Sequence, residues 1–111
     1  MTPRLTAEFW VHAYLNRLRM IDIPAFVVSK GDLTAVAVVV KMNTLDGQAM
    51  AYQRSFDLIS GARKWIDFAV GGETDVDAAI ARQRGFDPDL WVIEVEDRQG
   101  RHLLDKPGLA D

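Results

Sequence analysis

Five carboxylates crowd the stretch GFDPDLWVIEVED, residues 85–97: Asp87, Asp89, Glu94, Glu96 and Asp97, with no Lys or Arg among them. Side chains of this type supply hard oxygen ligands for Mg²⁺ or Ca²⁺, or a general acid/base pair. Asp89, Glu94 and Glu96 are the candidates for such a site. In an extended strand Leu90, Val92, Glu94 and Glu96 share one face, which sets Glu94 and Glu96 about 7 Å apart, near enough to share an ion. A simpler reading competes. Asp87 and Asp89 flank Pro88 in a turn, while Glu94 and Glu96 form the wet face of a half-buried strand, neutralised by Arg101 or by Arg63 and Lys64. The PD followed by EVE also approaches the PD…(D/E)xK pattern of metal-dependent nucleases, but Glu96 stands where the lysine belongs. The acids are therefore expected to shape a bend and face water, and no metal or cofactor is assigned to them.

Other constellations are thinner still. EFWVH sets Glu8 and His12 four apart on a helical face, which is half a metal site, and the other histidine, His102, lies far along the chain. VGGETD resembles a glycine-rich phosphate-cradling turn. Its acids, Glu73, Asp75 and Asp77, already occupy the positive end of the following helix and repel an anion, and the Lys and Ser/Thr of a P-loop are missing. Lys41, Arg54, Arg63 and Lys64, with Tyr52 and Trp65, would form a single-strand nucleic-acid surface if one sheet face gathered them. Ser29, Ser55 and Ser60 lie in no nucleophile elbow.

The elements that must position these residues follow from periodicity. Thr6 reads as the cap of a helix running to about Ile21, with Val11, Tyr14, Leu15, Leu18 and Ile21 as its apolar stripe and Glu8, His12, Asn16 and Arg19 opposite. Pro24 ends it. Phe9, Trp10 and Ala13 widen the apolar face beyond one sheet contact, so Phe9, Trp10 and Tyr14 are candidate interaction residues. Four extended segments follow, Ala25–Lys30, Ala35–Met42, Ala49–Phe56 and Arg63–Val70, the pattern of an antiparallel meander. Ala35–Val40 is apolar throughout, so that strand should be central and covered on both faces. A second helix spans Asp75–Arg84, with a capping box of Thr74 and Asp77, Gly85 as a left-handed stop and Phe86 folding back over the last turn. Leu90–Glu96 is a last long strand, and Gly100 turns a hairpin into Arg101–Leu104.

This order predicts an α+β fold: a mostly antiparallel sheet of five to six strands with two helices packed on one face. At 111 residues the chain is expected to be one domain over 1–111, with 105–111 as a tail. Hydrophobic residues make up 49% and charged residues 26%, which places it with globular rather than disordered chains. A net charge of −3 offers no basic field for phosphate backbones and disfavours nucleic acid. The lack of cysteine excludes disulfides, thiolate zinc sites and thiol nucleophiles. No signal-peptide core or spanning apolar run is present, so no membrane association and a cytoplasmic location are expected.

RLTAEFWVHAYLNRL, VKMNTLDG, QRSFDL and FDPDLWVIEVEDRQGRHLLD together resemble the alphaproteobacterial family termed domain of unknown function 1491. The similarity runs from Arg4 to about Leu109. It implies a small bacterial cytoplasmic protein and brings with it no activity, cofactor or catalytic residue. A wide apolar helix face without a convincing catalytic set points to a non-enzymatic interaction domain, binding a protein partner or itself through that helix or an open sheet edge. The rival readings are a metal-dependent hydrolase built on Asp89, Glu94 and Glu96, and single-strand nucleic-acid binding.

Overall fold

The strand VVVKMN, Val38–Asn43, is buried at all six positions, and the architecture follows from having to cover both of its faces. A computed structural model describes residues 7–32, 37–56, 59 and 63–106. Its elements run α1 (Ala7–Met20), β1 (Ala25–Ser29), β2 (Val38–Asn43), β3 (Gln48–Phe56), β4 (Arg63–Gly72), α2 (Glu73–Phe86) and β5 (Trp91–Glu96). The α+β class and the five strands agree with expectation. Thr6, residues 35 and 36 of the second expected segment, Ser60 and most of the 105–111 tail lie outside the described residues. Among the described residues no helix is long and apolar enough to cross a membrane.

The sheet order is β1-β5-β2-β3-β4. β2, β3 and β4 form the expected antiparallel meander, with β2 central. β1 does not join it. β5 inserts between β1 and β2, antiparallel to the first and parallel to the second. The reason lies in WVIEVE: Trp91, Ile93 and Val95 point to one face while Val92, behind Leu90, points to the other, so the strand needs cover on both sides and takes an interior place. A parallel neighbour needs a crossover, and α2 supplies it.

The helices lie on opposite faces rather than on one. α1 sets Trp10, Val11, Tyr14 and Leu18 against Val38, Val40 and Met42 of β2 and Trp91, Ile93 and Val95 of β5. α2 sets Val76 and Ile80 against Val39, Ala49, Ala51 and Val92. Alternation along β2 dictates this, since a strand apolar at odd and even positions alike has two faces to bury. Each fully buried aliphatic side chain contributes about 1.5–3 kcal/mol, a cost incurred on whichever face is left bare.

Smaller departures have local causes. α2 begins at Glu73, so the expected cap Thr74 lies inside the helix and the cap position falls to Gly72, which has no side chain to offer, while Asp77 is drawn down to the sheet. Gly85 is helical, and the helix ends at Asp87, whose N–H donates to the Gln83 carbonyl. Phe86 stays exposed. Ile21 lies past the end of α1, also exposed. Gly100 does take positive φ, at 71°. Arg101–Leu104, however, is not a strand. It drapes over the α1 side, where Leu104 is buried in that core.

Candidate functional site

A lysine stands in the middle of the buried β2 strand. Lys41 has a side chain only 4% exposed, and its Nζ contacts Glu73 Oε2 at 2.7 Å, Asp77 Oδ1 at 2.7 Å and Glu94 Oε1 at 3.1 Å. Glu94 is its register partner across the parallel β2–β5 pair, Glu73 comes from the first turn of α2 above, and Asp77 lies one turn further along the same helix. The helix places them there because the Glu73 N–H donates to the Gly47 carbonyl of the β2–β3 turn at 2.9 Å. Asn43, two residues on from Lys41, completes the cluster. Its Nδ2 donates to Glu73 Oε2 at 2.9 Å and Glu94 Oε2 at 3.3 Å, while its Oδ1 accepts the Leu45 N–H that closes the turn.

Burial by itself pushes the Lys41 pKa down. Hydrogen bonds to Asp77, Glu73 and Glu94 outweigh that and raise it above the ordinary lysine value. An ammonium held this firmly is no base or nucleophile at neutral pH. It acts as a built-in counter-cation, occupying the point on which the three carboxylates converge.

The cluster floors one end of a groove of about 480 Å³ between α2 and β1. α2 lies chiefly over β3 and β4, so the β5–β1 side of that sheet face is only partly roofed. Val28, Ile80, Ala81 and Val92 form its apolar walls, and Arg84 also lines it.

The sequence candidates fare unequally. Glu94 belongs to the cluster, but Asp89 and Glu96 do not join it. Asp87 and Asp89 do shape the bend: the Asp89 N–H donates to Asp87 Oδ1 and the Leu90 N–H to the Asp87 carbonyl. Glu94 is not simply a wet residue, because Lys41 neutralises it from within. Arg101 serves Asp97 instead, through Nε at 2.9 Å and its own backbone N–H at 2.8 Å. Among the described residues no three His, Asp or Glu side chains form a group able to hold a metal ion. Glu8 and His12 approach to 3.9 Å on the exposed side of α1. Lys41 and Arg54 point to opposite faces and are both buried, Arg54 against Trp10 and Trp65, so no basic face gathers them with Lys64. The side chain of Arg63 lies outside the described residues. Of the three interaction candidates, Trp10 and Tyr14 are consumed by the core, their rings stacked 4.8 Å apart, and Phe9 remains at the surface.

Sequence reasoning missed Lys41 as the partner of Glu73, Asp77 and Glu94, and Asn43 as a second donor to Glu73 and Glu94. The available signal was VVVKMN itself: a lone charge inside a strand buried on both faces must be paired.

Comparison with known proteins adds identity. The crystal structure of a DUF1491 family protein from Caulobacter crescentus CB15 is 36% identical and superposes with a TM-score of 0.79, covering 93% of this chain and 95% of that one. An NMR structure of a DUF1491 family protein from the same organism gives 36% and 0.81, covering 96% and 97%. A solution structure of a protein from A. tumefaciens gives 28% and 0.71, covering 85% and 86%. No curated protein matches the chain. The model of the family described as protein of unknown function, DUF1491, matches residues 5–105, and the chain belongs to that family.

Proposed function

We propose that this domain is a non-enzymatic interaction module that self-associates through β1. The observation that carries the reading is the character of that strand. β1 is an edge strand, AFVVS, without a single charge, and Phe26 and Val28 are 46% and 51% exposed with Val27 open between them. Met20 and Ile21, just upstream, add further exposed apolar surface. Natural edges are normally blunted by charge, as the opposite edge is, where β4 carries Lys64 and Asp67 in exposed positions. An edge left apolar on both faces has the composition of an interior strand.

A second copy fits this edge better than an arbitrary strand. The regular part of β1 runs Ala25–Val27 before a bulge, and an antiparallel copy centred on Phe26 sets Phe26 against its own counterpart. Sedimentation of the wild type and Phe26→Lys tests the proposal. The wild type should reach dimer at high micromolar concentration, and the variant, with two like charges at the centre, should remain monomeric with its fold intact. A wild type that stays monomeric throughout contradicts self-association, and a dimer indifferent to Phe26→Lys contradicts its placement on β1.

A further inference from the structure

We infer that the segment Arg101–Leu104 is a latch on the α1 side of the sheet, closed while the His102 imidazole is neutral and released when it takes up a proton. The geometry rests on one hydrogen bond. The Leu104 N–H donates to His102 Nδ1 at 3.0 Å, so the neutral ring carries its proton on Nε2 and Nδ1 must act as an acceptor. A proton arriving from solvent can bind only at Nδ1. It turns the acceptor into a donor facing another donor, and the bond is lost.

What that bond holds in place is conformationally costly. Leu103, between the two partners, has φ 61°, the left-handed region that a leucine side chain disfavours. Packing is the other restraint: Leu104 is 3% exposed in the α1 core. Tyr14 of α1 donates its hydroxyl to the His102 carbonyl at 2.7 Å. The Tyr52 ring of β3 lies 4.7 Å from the imidazole. Lys64 and Asp67 of β4 and Asp105, the residue after the segment, line the adjoining cavity of about 290 Å³. Arg101, next in the chain, is engaged by Asp97. Burial lowers the His102 pKa from 6.5, against the opposing pull of Asp105 and Asp67. A histidine depressed in the folded state gives stability that is complete above 6.5 and is withdrawn as pH falls through the folded value. With the latch open, Leu104 leaves the core and uncovers the apolar wall formed by Tyr52 and Trp65.

The test is the protection of the Leu104 amide against hydrogen exchange, corrected for intrinsic rates, from about pH 7.5 to pH 5, together with the ¹⁵N shifts of the imidazole. Protection in the wild type should fall roughly tenfold as Nδ1 becomes protonated, the size of one lost hydrogen bond. His102→Asn supplies an amide oxygen that accepts the same N–H without titrating, and its protection should be independent of pH. Wild-type protection that is flat across the range, an imidazole already carrying Nδ1–H at neutral pH, or the same pH response in His102→Asn would each overturn the inference.

Discussion

Lys41 and Glu94 face each other across the parallel β2–β5 pair, and their charges meet at 3.1 Å beneath the first turn of α2. This pair joins the two most buried strands to the helix above them. It converts the carboxylate that looks most like a ligand into a structural partner.

Removing the cation should expose that dependence. Lys41→Met leaves Glu94 without a counter-charge beside an apolar floor, whereas Glu73 and Asp77 still reach water. The expected loss is about 2–4 kcal/mol, at the lower end of what breaking a buried ion pair costs because two of the three acids can be solvated. Chemical denaturation measures it. Adding Glu94→Gln to Lys41→Met should restore part of the loss, and strictly additive losses would show that the two residues do not act together.

Divalent metal should do nothing to the wild type. A ligand that binds only the folded state raises the melting midpoint, and here an ammonium already sits among Glu73, Asp77 and Glu94. Melting curves with and without saturating Mg²⁺, Mn²⁺ or Ca²⁺ should superimpose. A clear rise with any of them would revive the hydrolase reading.

Gly31 admits no side chain. A Cβ there would run into the Asp89 carbonyl oxygen and lie 2.7 Å from Cδ1 of Trp91. That carbonyl accepts the Asp32 N–H at 3.1 Å, and the Asp32 carbonyl accepts the Trp91 indole N–H at 2.8 Å. Gly31→Ala must push the segment after β1 away from the turn before β5 and should cost about 2–3 kcal/mol by overpacking, read from the denaturation midpoint. Asp89→Asn keeps the carbonyl and should be nearly silent.

Acid should loosen the turn after β5. The hydrogen bond from Arg101 holds the Asp97 carboxyl below its ordinary 3.8. The stabilisation is therefore complete above 3.8 and is withdrawn as pH falls through the lower folded value. Asp97→Asn forfeits it at every pH, so the stability gap between the two proteins should narrow at the acid end of a pH series. A constant gap would mean that the contact does not depend on charge.

Much of this fold could be read from residue order, and the failures share a cause. Tyr14 and Leu18 announced their burial through helical period, and Val40 through an unbroken apolar run. The inward turn of Lys41 did not, because its partners are 32, 36 and 53 residues away and nothing local pairs them. The place of β5 was hidden for the same reason: Leu90–Glu96 looks alike as an edge or as a centre until the strand beside it is known. The two-sided apolar pattern of β2 did contain the opposite placement of the helices, since a face with no cover costs more than a second layer. Trp10 shows the limit of reading excess apolar width as an interface, for Trp65 and Arg54 from the sheet absorb it.

The most direct test of the β1 reading is hydrogen exchange at the amides of Ala25–Ser29, measured in dilute and in concentrated protein. Pairing of two copies along this edge predicts that those amides gain protection with concentration, while the amides of the β4 edge do not change. Identical exchange at both concentrations along β1 would contradict it.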